Sequence, residues 1–61
     1  MMDSVQDKIM VLLSSECTIE DVAKGVGISR ITASKYLAVM EARGTISRRN
    51  IGMAKLFRRR W

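Results

Sequence analysis

A chain of 61 residues with one cysteine and no histidine has to hold itself together by packing alone. Cys17 has no disulfide partner within the chain, and a structural zinc site needs several Cys or His ligands at set spacing. At this length only about 60% of the unfolded surface can be buried. A lone core below roughly 70 to 80 residues rarely supplies more than about 3 to 5 kcal/mol. One domain, residues 1–61, is therefore the limit, built from well-ordered helices or supported by a partner subunit. The chain opens on no secretory n-region or apolar h-region, and no apolar run approaches the length of a membrane span. Together these features lead us to expect a protein of the reducing cytoplasm, without metal, cofactor or membrane partner.

Local signals divide the chain into five elements. Val5, Ile9, Leu12 and Leu13 line one helical face, with Asp3 or Ser4 placed to cap it, which predicts a helix over about 4–14. Thr18 with Asp21 three residues on is a capping-box pattern, and Cys17 and Val22 fall at the staple positions around it. Cys17 then reads as a small buried hydrophobe rather than a reactive thiol. The second helix should cover about 18–25 and stop near Lys24 and Gly25. Val26 and Ile28 anchor the turn that follows, and Ser29 caps a third helix over about 29–43, ended by Gly44. After Gly44 the period changes. Segments 45–49 and 55–58, with Asn50 and Gly52 between them, predict a hairpin over about 45–58, followed by a basic tail at 59–61. The fold class is mostly α with a small β-hairpin.

Two helices joined by a tight glycine turn, the second capped by Ser and basic at its start, form a helix-turn-helix pattern. The stretches Ile19-Glu-Asp-Val-Ala-Lys-Gly-Val-Gly-Ile-Ser29 and Arg30-Ile-Thr-Ala-Ser-Lys-Tyr-Leu37 resemble the winged helix-turn-helix transcriptional regulators. The resemblance runs on through Met40, Gly44 and Ile46. Ile51-Gly-Met-Ala-Lys-Leu-Phe57 looks like the wings of small prokaryotic, archaeal or archaeal-virus members. It implies that Ala23 lets the two helices approach closely, that Gly27 makes the turn, and that Ala33 and Leu37 pack the recognition helix down. It also implies a domain that docks on double-stranded DNA.

The charge pattern supports the same partner independently. Up to Ser29 the chain carries Lys8 and Lys24 against five carboxylates, a net −3; from Arg30 onward nine cations face Glu41 alone, a net +8. Such asymmetry points to an extended polyanion, nucleic acid first and an anionic membrane second, against a basic surface that only keeps the protein dissolved. At about 100° per residue, Ala33, Leu37 and Met40 share one stripe of the third helix that must face the core. Ile31, Ser34, Lys35, Ala38 and Ala42 lie opposite, a face small enough to sit deep in a major groove.

Arg30 and Lys35 are candidates for guanine edges or phosphate, Ser29 and Ser34 for phosphate or base, and Ile31 for a thymine methyl or for packing on a neighbouring element. Thr32 and Tyr36 share a flank, where Tyr36 serves either the core edge or a phosphate. On the wing, Arg48 and Arg49 are expected to meet Lys55 and Arg58 across the strands, a like-charge arrangement that a phosphate backbone or a narrow minor groove would relieve. The alternative for each is a side chain splayed into water.

An enzyme is not expected: the chain has no His, no phosphate-cradling glycine loop and little core to enclose a pocket. The competing reading is a winged helix that docks on protein in a larger assembly. A cationic peptide lying on membranes would need one long amphipathic helix, against which the capped, interrupted helices argue. The first helix, the five methionines and the small core suggest a homodimer through that helix, reading two half-sites. Trp61 packs on the first helix, joins a dimer contact or marks a chain edge; the residues leave these open.

Overall fold

The computed structural model describes residues 4–61. Three helices, α1 (Ser4–Leu12), α2 (Ile19–Val26) and α3 (Arg30–Ala42), precede an antiparallel hairpin of β1 (Ile46–Ile51) and β2 (Ala54–Arg59). Each element meets the expected order, and the boundaries show where tertiary packing intervenes. Asp3, one of the two expected caps of α1, lies outside the described residues. α1 leaves the helical pattern two residues before its expected end, because the Ser14 and Ser15 amides reach only Val11 O at 3.3 Å and Leu12 O at 3.5 Å. Leu13 remains fully buried all the same.

The capping box of α2 forms as its sequence suggests. The Asp21 N–H donates to Thr18 Oγ1 at 3.2 Å, and the Thr18 N–H donates to Asp21 Oδ2 at 3.1 Å. Val22 is buried and Cys17 packs against the core, so the staple closes the N-terminus of the helix from the apolar side.

The end of α2 corrects the expectation of a stop at Gly25. The helix runs on to Val26, and Gly27, with φ of 82°, is the C-cap, its N–H donating to Ala23 O at 2.9 Å. Gly25 has another use. A Cβ placed there would stand 2.7 Å from Leu12 Cδ1, so the missing side chain lets α1 and α2 close on each other.

The two glycines should therefore respond differently. Gly27→Ala meets open space but forces a left-handed backbone, and should lower stability by about 1 to 2 kcal/mol. Gly25→Ala gains up to about 1 kcal/mol of helix propensity against a displaced, flexible Leu12 end, and should be nearly neutral. Denaturant midpoints of the two variants check this; equal losses would place the turn elsewhere.

Ser29 caps α3 by accepting from the Thr32 N–H at 3.1 Å. Ala33, Leu37 and Met40 then join Ile9, Leu13, Val22, Ala23, Ile46 and Phe57 in one core. The hairpin is shifted by one residue from its expected span, to 46–59, and its strands are longer and its turn shorter than the sequence suggests. Only Gly52 and Met53 form the turn, the last expected turn residue, Ala54, begins β2, and Arg59 belongs to the strand rather than the tail. A positive φ of 58° at Gly52, followed by none at Met53, is the two-residue turn that suits the twist of paired strands.

The register overturns the expected like-charge pairs. Arg48 faces Phe57, Arg49 faces Leu56, Asn50 faces Lys55 and Ser47 faces Arg58. Burying Ile46 and Phe57 on one face of the ribbon fixes this alignment, since a one-residue slip would turn the whole set outward. β2 has a further neighbour on its other edge. Cys17 and Phe57 exchange backbone hydrogen bonds at 3.0 and 2.8 Å, and the Arg59 N–H donates to Leu13 O at 3.0 Å. The α1–α2 connection thus completes the sheet and ties the wing to the helices.

Candidate nucleic-acid interface

The outward side of α3 is open. Ile31 is 71% exposed, and Ser34, Lys35, Ala38 and Ala42 are exposed with it. Ile19, Arg30, Ile31, Ser34 and Lys35 line a shallow, open hollow at the N-terminal half of the helix. Ser29 and Thr32 are partly committed to each other, because the Ser29 hydroxyl donates to Thr32 Oγ1 at 3.0 Å while it caps the helix. Tyr36 is half-buried and packs against the core.

The wing folds back beside the N-terminus of α3. A cleft of about 360 Å³ runs between Thr18, Ile19, Glu20 and Arg30 on the helical side and Met53, Ala54 and Lys55 on the hairpin. Arg30 borders both this cleft and the hollow on α3. The structure accordingly gathers Arg30, Ile31, Ser34, Lys35 and Lys55 around one junction. The participation of Thr18, Ile19 and Met53 was not visible in the sequence, because it depends on how far the hairpin folds back.

Arg49 and Arg58 lie elsewhere. Glu16, Ser47, Arg48, Arg49, Leu56 and Arg58 line a separate hollow on the hairpin. There Arg49 grips Glu16 at two points, Nε to Oε2 at 2.5 Å and an Nη2 contact to Oε1 at 2.6 Å. The hydrogen bonds from Arg49, reinforced by the charges of Arg49 and Arg58, hold the Glu16 carboxyl below its ordinary pKa, and the same pair holds the Arg49 guanidinium above its own. For Glu16 a depressed pKa means that the pairing is present above the unfolded value and is lost only as pH falls through the folded one. Arg48 meets Glu41 at 3.4 Å, and Arg30 approaches Glu20 at 4.0 Å. Each ion pair is exposed enough that solvent screens it.

Among the described residues no group of His, Cys, Asp or Glu converges as a metal site, and no helix is long and apolar enough to cross a membrane. The family model of the FaeA-like proteins matches residues 5–58, which takes in α2, α3 and all but the end residues of α1 and the hairpin. The chain belongs to the FaeA-like protein family.

No curated protein matches this FaeA-like chain. Solved structures do. A homodimeric winged helix-turn-helix DNA-binding domain from Mycobacterium bovis, fragment 1–100, superposes with a TM-score of 0.87 at 26% identity, over 93% of the FaeA-like chain and 54% of the other. NolR from Sinorhizobium fredii gives a TM-score of 0.90 at 21% identity, over 100% of this chain and 62% of the other. The chain therefore spans roughly 54% to 62% of the solved chains it resembles. Three helices with a two-stranded wing in this FaeA-like domain are the winged helix-turn-helix fold.

Proposed function

We propose that this domain binds double-stranded DNA in a sequence-specific manner as a transcriptional regulator, with α3 in the major groove and the wing on phosphate or minor groove. The observation that carries the reading is the open, small-residue face of α3 with Arg30 at its start and Lys55 of the wing across the adjoining cleft. Bulk on that face would hold the helix away from the base edges. Arg30 and Lys35 reach guanine edges or phosphate, Ser34 a base or phosphate, and Ile31 a thymine methyl. Ser29, Thr32 and Tyr36 border the docking face, while Arg48, Arg49, Lys55 and Arg58 engage the phosphate backbone. The Mycobacterium bovis domain, a homodimer described as DNA-binding, supports both the ligand and a two-fold assembly. On this chain the exposed Val11 of α1 is available to such an interface.

Selection of bound duplexes from a random pool tests the reading directly. An enriched motif is expected, and a palindromic one would carry the dimer with it. Arg30→Ala should then cost about 1 to 3 kcal/mol on the selected duplex and relax its preference, whereas Arg48→Ala should weaken all duplexes alike. No enrichment, with the domain instead retained by a protein partner, would turn the assignment to a docking module.

A further inference from the structure

The reading above puts the cations of the wing on phosphate or minor groove and gives no part to the two apolar side chains at its point. Met53 is fully exposed, at 103%, and Ile51 is 52% exposed, on either side of Gly52 in the two-residue turn. The turn geometry requires glycine only at its first position. Nothing local therefore calls for methionine at the second, where a polar residue would hydrate better. Neither side chain belongs to the core or to the apolar residues packed against it.

Charge surrounds this apolar point. Lys55 lies two positions after Met53, and both share the cleft with Arg30 at the start of α3 and with Glu20, 4.0 Å from that guanidinium. A partner that receives the tip thus meets the cations of the cleft and the open face of α3 at once. A duplex offers that combination, because its two grooves are separated by a single anionic sugar-phosphate strand and its minor groove has apolar sugar walls. Apolar side chains such as Met and Ile can enter there, partly unstack a base step and bend the duplex by about 20 to 90°.

We infer that Met53, with Ile51 beside it, is a wedge that enters the minor groove next to the one read by α3 and bends the DNA, with the dividing phosphate strand held between Arg30 and Lys55. The inference rests on the DNA-binding reading and adds a deformation to it. It also gives the wing a sequence preference, because pyrimidine–purine steps open most easily.

The test uses the selected duplex at about 30 bp, the scale of a bent site, carrying a donor and an acceptor at its ends. The native chain should raise energy transfer on binding. Met53→Ser should remove at least half of that rise while affinity falls by less than about tenfold, and Met53→Leu should keep it. A side chain this exposed is replaceable without threatening the core. Binding without a rise, or an undiminished rise with Met53→Ser, overturns the wedge and leaves DNA binding standing. Absence of duplex binding even at low salt removes the parent reading and the wedge with it. Capture by phosphatidylserine vesicles that Met53→Ser abolishes, with no bending of DNA, overturns the wedge in favour of a lipid surface.

Discussion

Leu37→Ala should leave the domain largely unfolded at physiological temperature. Leu37 is 1% exposed at the middle of α3 and belongs to the core in which all three helices and the wing meet. Truncating a buried leucine removes its transfer free energy and leaves a cavity, at a cost of about 2 to 5 kcal/mol. A domain of this size rarely has more than about 3 to 5 kcal/mol to lose. With no disulfide and no metal-ligand cluster among the described residues, nothing covalent or coordinative offsets the loss. Ile31→Ala, on the same helix but 71% exposed, is the control and should change stability by under about 0.5 kcal/mol. Thermal melts followed by far-ultraviolet circular dichroism check both. Equal melting temperatures for the two variants would mean that α3 buries a different face.

Raising salt from about 50 to 200 mM should weaken duplex binding by about a thousandfold. Each phosphate neutralised releases counterions, so log affinity falls with log salt at about 0.9 per contact. Arg30, Lys35 and the four wing cations make about six contacts available, for a slope near −5. The internal ion pairs modify this expectation. Glu16 holds Arg49 at two points, so DNA must displace a carboxylate to use that guanidinium. Glu16→Gln removes the competitor and should raise affinity for all duplexes, with a slope steeper by up to about one. Lowering pH acts in the same direction only below the ordinary carboxylate range, because Arg49 depresses the Glu16 pKa. Binding indifferent to salt, in the native chain and in Glu16→Gln alike, would remove phosphate contact from the account.

Why some features were legible and others not follows from the range of the interactions that set them. The capping box at Thr18 and Asp21, the Ser29 cap and the Ala33, Leu37 and Met40 stripe involve partners three to seven residues apart, and all appear as the sequence indicated. The end of α2 is a mixed case. Gly25 reads as the stop and Gly27 as the turn, whereas Gly25 lies inside α2 against Leu12 of another helix and Gly27 is the cap. The wing shows the limit most clearly. Its four site cations fall on the two expected strands, yet the expected pairing sets cation against cation. Burial of Phe57 and Ile46 selected a register that sets Arg48 and Arg49 against apolar partners instead.

The chemistry of the candidate site is written in residue types and short-range pattern: the basic half, the small outward residues of α3 and the helix-turn-helix that presents them. Those properties follow from residue type and a helical repeat of a few residues. Which cations stand together depends on long-range packing. Glu16 reaches Arg49 across 33 residues, Cys17 pairs with Phe57, and the wing tip comes to rest beside Arg30. Such contacts depend on how the hairpin docks on the helices, and docking is settled by the shape of the shared core, which no short stretch of chain encodes.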